Sequence, residues 1–171
     1  MPILLSNPDY SSDSLKGSIF GVLGSTELCS VASISLDSSP HVHTAFFAFD
    51  DELRLFLLSD PATIHGGNIS RDPRVAVAVY RTDQSWQNDK QGLQLFGTCA
   101  FASGRVKLAA QYHYAARFVS YQDWFRLLSL TERRAFKSKF YVIEIDRGKI
   151  FDEPTFGEET FVSMTVQRTL G

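Results

Sequence analysis

The sequence predicts a mainly β protein: a six-stranded antiparallel barrel of Greek-key type, with one short helix between its third and fourth strands and a helical pair before its last. Three observations lead there. From Leu28 the apolar residues alternate with polar ones, Ala32, Ile34 and Leu36 against Ser33 and Ser35, and the strands at 28–36, 41–49 and 53–58 are joined only by the polar turns Asp37–Pro40 and Asp50–Glu52. Strands joined by such short turns form an antiparallel meander. The stretch LFLLSDPATIHGGNISRDPRVAVAVY, residues 55–80, then stops a strand at a helix start, spends barely three turns on helix and returns at once to strand. Helical composition dominates only after residue 102, and strand character returns at 140–145. Closing such a sheet on itself removes its exposed edges.

Taken in order, residues 12–24 place Leu15, Ile19, Val22 and Leu23 at helical spacing and predict an opening helix. The barrel core follows over about 28–102, its fourth strand at 75–79 and its fifth at 93–101, separated by the polar loop RTDQSWQNDKQG. Helices are expected over about 108–137, with Thr131 and Glu132 capping the second, a closing strand over about 139–146, and further strand character at 161–166. No repeat, low-complexity tract or long linker interrupts the 171 residues, which predicts a single domain over 1–171.

Composition narrows the function. A net charge of -2 argues against a dedicated nucleic-acid binder. The charge is nevertheless uneven, acidic before residue 60 and basic over 105–150, which fits a solvated helical face or an anion-attracting surface. Cys29 and Cys99 lie inside apolar segments with no metal-ligand spacing, the pattern of buried reduced thiols. MPILLSNPDY lacks a signal-peptide pattern and no segment approaches the roughly 20 apolar residues of a membrane span, so a cytoplasmic chain without membrane partners is expected.

No nucleophile elbow, dinucleotide fingerprint or Cys–His neighbour pair occurs, so any redox chemistry must come from a bound cofactor. His41 and His43 share one strand face, but neither a carboxylate nor a third histidine follows at useful spacing, and no metal site is expected. The short helix after Ser59 aims free N–H groups and its dipole at one point, as a phosphate cradle does, or it is a simple connector. Ser59 or Asp60 would cap it, with Pro61 at its first position and Thr63 and His65 in its first turn. His113, between two tyrosines, reads as a surface or interface residue, and Trp86 either covers a ligand or staples its loop.

The run PHVHTAFFAFDDELRLFLLSDPATIHGGNISRDPRVAVAV, followed by QGLQLFGTCAFAS, resembles the flavin-mononucleotide-binding split barrels related to pyridoxamine 5'-phosphate oxidase; Tyr141–Asp146 and Phe156-Gly157 extend the similarity. The resemblance implies a split barrel and a homodimer with FMN at its interface. It also implies an oxidoreductase acting on a small molecule, and a cofactor site drawn from His43, Thr44, Leu58, Ser59, Thr63, His65 and Gln94. Four basic residues usually surround the phosphate in the flavin-binding members, and here those positions hold His43, Ala48, Ile64 and His65. Two of these cannot pair with phosphate, while the hydroxyls of Ser59 and Thr63 are retained. That depletion keeps open a cofactor-poor binding or regulatory barrel, and an apolar wall of Phe46, Phe47 and Phe56, which does not select one planar ring over another, keeps open a haem- or deazaflavin-binding variant. The resemblance names no catalytic residue.

Overall fold

The computed structural model describes residues 3–168 apart from residue 136. In chain order these form β1 (Ile3–Ser6), α1 (Ser12–Ser25), β2 (Leu28–Ile34), β3 (Pro40–Phe49), β4 (Arg54–Ser59), α2 (Ile64–Arg71), β5 (Arg74–Tyr80), β6 (Gln91–Phe101), α3 (Gly104–Arg117), α4 (Val119–Leu127), α5 (Leu130–Ala135), β7 (Lys139–Asp152), α6 (Glu153–Phe156) and β8 (Phe161–Arg168). The sheet runs β1-β8-β7-β4-β3-β2-β5-β6 and closes through β7 pairing with β6. Six antiparallel strands, β2 to β7, therefore make the barrel predicted from the sequence. β8 and β1 hang from the far half of β7.

β7 holds the closure. Its first half, Lys139–Glu144, pairs with β4, its second half, Arg147–Phe151, pairs with β8, and β6 runs along nearly all of it. The sequence reading ends this strand near residue 146, because Asp146-Arg147-Gly148-Lys149 has no strand signature; strand pairing on both sides overrides that local preference. β1 was not foreseen either, since its four residues are too few to display a period. Three helices stand where two were expected: the helix starts at Gly104 and breaks at Phe118, and α5 is separately capped. That cap is Ser129, not Thr131, in a reciprocal box. The Ser129 hydroxyl accepts from Glu132 N at 3.3 Å, and Glu132 accepts from Ser129 N at 2.8 Å. The last expected turn of this helical region includes residue 136, outside the described residues. None of the described helices is long and apolar enough to cross a membrane.

Alternation places Val31, Phe47, Leu55, Val77, Leu95 and Ile143 inside the barrel, all but fully buried. α1 adds Leu15, Ile19, Val22 and Leu23 to the same core. The helix is also tied by a polar contact: Ser18 Oγ donates to buried Asp152 at 2.5 Å, and Gln91 Nε2 donates to the other carboxylate oxygen at 2.8 Å. A second apolar cluster forms on the outer wall, where α3 lays Ala110 and Tyr114 over Ala48, Phe56, Phe140 and Val142.

The β6–β7 ladder shifts register between Phe96 and Gly97, as a bulge does. A Cβ at residue 97 would lie 1.9 Å from the Glu144 carbonyl oxygen, so only glycine lets the two backbones approach there. Gly97→Ala should cost more than about 3 kcal/mol, beyond ordinary overpacking, because backbone rather than a side-chain tip must move. Thermal or urea unfolding checks this; a loss below about 1 kcal/mol would show that the bulge can be rebuilt without glycine.

Candidate functional site

The site originates in unequal strand lengths. β3 pairs with β2 from Pro40 through Phe46, but with β4 only at Phe47–Phe49 against Leu55–Leu57. Beyond that point β4 continues along β7 to Ser59 while β3 leaves it. The two strands diverge, and a cavity of about 220 Å³ occupies the opening, lined in part by His43, Thr44, Leu58, Ser59, His65 and Tyr141. α2 begins at this mouth.

Of the seven residues expected at a cofactor site, His43, Thr44, Leu58, Ser59 and His65 thus line one cavity. Thr63 stands beside it with its hydroxyl already committed. It is the N-cap of α2, accepting from Gly66 N at 3.2 Å and donating to the Asp60 carbonyl at 2.8 Å. Neither Ser59 nor Asp60 caps the helix; Asp60 instead accepts from Ala62 N in the preceding turn. The helix therefore starts three residues later than Pro61, because the Asp-Pro turn must be completed first. Gln94 is elsewhere, exposed on the outer face of β6, where it lines a separate hollow of about 500 Å³ with Trp86, Lys90 and Lys149. Trp86 is 90% exposed, with the Lys90 ammonium 5.5 Å from its ring centre, so it does not staple its loop into the core.

The feature that sequence spacing did not reveal is a cluster of histidines. The chain has four, and three meet here. His41 and His43 project from the same face of β3, and α2 brings His65 against them. The rings of His43 and His65 stack at 3.7 Å, and His41 lies 6.4 and 6.5 Å from the other two. The His-x-His pattern carried half of the signal; the third member is more than twenty residues away and arrives only through the strand–helix turn. Ser59 Oγ lies 2.6 Å from His65 Nε2. His43 Nδ1 and the Tyr141 hydroxyl, both on this cavity, are buried with no hydrogen-bond partner. The fourth histidine, His113, sits on α3 with its ring stacked 5.9 Å from Phe56.

Burial and the neighbouring imidazoles of His65 and His41 push the His43 pKa down to about 4. Burial, then His41, lowers His65 too. These rings are neutral at pH 7, with lone pairs available and little attraction for an anion. Elsewhere, burial raises the thiols of Cys29 and Cys99 to about 12, so both are inert at neutral pH.

With this geometry described, comparison with known proteins gives the family. The model of the pyridoxamine 5'-phosphate oxidase family matches residues 16–151, most of the chain. The chain belongs to that family. Solved structures share the fold of this pyridoxamine 5'-phosphate oxidase relative at low identity. A heme-binding protein from Mycobacterium smegmatis aligns at 17% identity and a TM-score of 0.66, over 84% of this chain and 55% of its own. The heme storage protein HutZ from Vibrio cholerae aligns at 15% and 0.59, over 77% and 90%. A FAD-binding protein from Mesorhizobium loti aligns at 16% and 0.57, over 98% and 100%. The chain thus spans about half the length of the mycobacterial protein. No curated protein matches it significantly in sequence.

The depressed pKa of His43 has a consequence for stability. The unfolded chain takes up this proton near the ordinary value of about 6.5 and the folded chain only near 4, so the neutral ring's contribution is complete above about 6.5 and is lost as pH falls toward 4. His43→Gln removes that component. In metal-free buffer, wild type should lose stability between pH 7 and 4.5 more steeply than the variant; parallel pH profiles would mean that the ring is freely protonated in the fold.

Proposed function

We propose that this protein is a homodimeric FMN-binding redox protein of the cytoplasm, holding the cofactor phosphate in the cleft between β3, β4 and α2. The observation that carries the reading is that hydroxyls and imidazoles from all three elements converge on one small cavity at the mouth of α2. Ser59 offers a hydroxyl donor, and His65 and the orphaned groups of His43 and Tyr141 offer polar partners. Thr63 then acts by shaping the helix start, its own hydroxyl being spent. The flavin ring supplies the redox chemistry when bound; the chain supplies position, hydrogen bonds and exclusion of water.

At about 220 Å³ the cavity suits a phosphate and its first carbons, so the ring must lie outside it. The outer wall of the barrel supports a second copy as its cover. Leu28 and Phe46 are register partners on β2 and β3, and Val42 lies further along the same face of β3; all three are exposed. Ala76 and Ala78 on β5 and Gln94 on β6 continue a surface of small and polar groups. Burying that face between two copies would bring Gln94 of a second copy within reach of a ring and explain why it stands apart from the phosphate cleft.

A heme-binding reading is favoured by one observation, the neutral imidazoles, which are iron ligands rather than phosphate ligands. An absorption spectrum of purified protein separates the two: flavin bands support FMN, a Soret band supports heme, and neither band even after titration with FMN points to a cofactor-poor barrel. Ser59→Ala should weaken FMN binding by about 1.5–3 kcal/mol, roughly tenfold or more, by removing one hydrogen bond to a charged group. His65→Lys installs a permanent charge and should tighten binding at pH 8. Equal affinities for wild type and both variants would remove the phosphate from this cleft.

A further inference from the structure

We propose that His41, His43 and His65 form a binding site for one divalent transition-metal ion of the zinc class. Each residue offers a ring nitrogen, and the three nitrogens lie within 4.8 Å of one another. Ligands around a tetrahedral ion at about 2.0–2.1 Å stand roughly 3.3 Å apart, so ion binding requires the near-parallel rings of His43 and His65 to turn out of their 3.7 Å stack until their in-plane lone pairs converge. The strand supplies two ligands from one face, which fixes their spacing through the pleat, and α2 supplies the third from its first turn.

Three further details fit a ligand role. His43 Nδ1 is buried without any partner, a state that natural interiors rarely leave uncompensated and that a metal bond would satisfy. Ser59 Oγ lies 2.6 Å from His65 Nε2, and in the tautomer that donates Nε2–H to it Nδ1 keeps the lone pair, the arrangement by which an outer hydroxyl orients a ligating imidazole. Among the described residues, no carboxylate holds any of the three rings in a hydrogen bond or ion pair. An all-nitrogen set selects zinc, copper, nickel or iron over calcium and magnesium, which need oxygen ligands. Three imidazole ligands leave one position open and the ion's charge uncompensated, next to the hydroxyl of Ser59. Such an ion would supply the positive charge that the resemblance implies for four basic positions, two of which hold Ala48 and Ile64 in this chain.

The site is independent of the cofactor reading, because it is measured on protein free of flavin and heme. Full-length protein without a histidine tag, stripped by chelator and dialysed, is titrated with Co2+, followed by its d–d absorption, and with Zn2+ by calorimetry. The expected result is one ion per chain. His41→Ala, His43→Ala and His65→Ala should each weaken binding by more than tenfold, Ser59→Ala by roughly tenfold, and His113→Ala should leave it unchanged. The Co2+ titration of wild type decides the matter even if a variant fails to fold: absence of a saturable nitrogen-ligand spectrum overturns the proposal. So does one-to-one binding that survives His43→Ala and is lost in His113→Ala.

Discussion

The divergence of β3 from β4 is the constraint on which the rest depends. A closed barrel satisfies its backbone hydrogen bonds strand to strand and leaves little room for a ligand. Here β4 follows β7 to its end while β3 stays with β2, and the ladder between them lasts three residue pairs. The opening is stabilised from both flanks rather than at its centre, since β2–β3 and β4–β7 remain fully paired. Into it the chain inserts α2, whose start is fixed by the Thr63 cap and by a glycine: a Cβ at residue 66 would meet the Pro61 carbonyl at 2.5 Å. Side chains that are remote in sequence then share one pocket.

The rest of the architecture keeps that opening rigid. α1 fills the barrel with aliphatic side chains and is pinned by the Ser18–Asp152–Gln91 contacts, while α3 seals the outer wall of β3, β4 and β7 over Ala48 and Phe56. Ala48 shows why the cleft is electrostatically poor. Its position is 1% exposed beneath α3, packed with Phe56, Ala110 and Tyr114, where a basic side chain would be buried. Ile64, by contrast, is 68% exposed at the first position of α2, where the core sets no requirement for an apolar side chain. A cleft with hydroxyls and neutral imidazoles but no fixed cation must obtain positive charge from elsewhere or bind a less charged group.

Much of the fold was legible because the barrel strands obey a two-residue period and their turns carry the expected chemistry. Asp50 illustrates this: its carboxylate accepts from Glu52 N, Arg54 N and the Arg54 guanidinium, which is why Asp-Asp-Glu turns the chain there. The misreadings occur where pairing, not pattern, decides. β7 runs through a polar glycine-containing segment because β6 and β8 flank it, and β1 exists only because β8 offers an edge. In the cleft, the order strand, turn, helix pointed to Ser59 and His65, and the family resemblance added His43. The histidine triad could not, because ligand spacing in sequence reveals sites within one element, and this one spans a strand and a helix. The cap was misplaced for a related reason: Asp60 and Thr63 are equally good cap residues, and only the completed Asp-Pro turn decides between them.

The claim that ligand binding is centred on the β3–β4 divergence is tested most directly by amide hydrogen exchange on the full chain, read by mass spectrometry with and without saturating FMN or Zn2+. Binding in the cleft predicts added protection in residues 41–46 and 58–67, with little change in β6 at 95–101 or in α1. Protection confined to the hollow around Trp86 and Gln94, with residues 41–46 and 58–67 unaffected by either ligand, would contradict it.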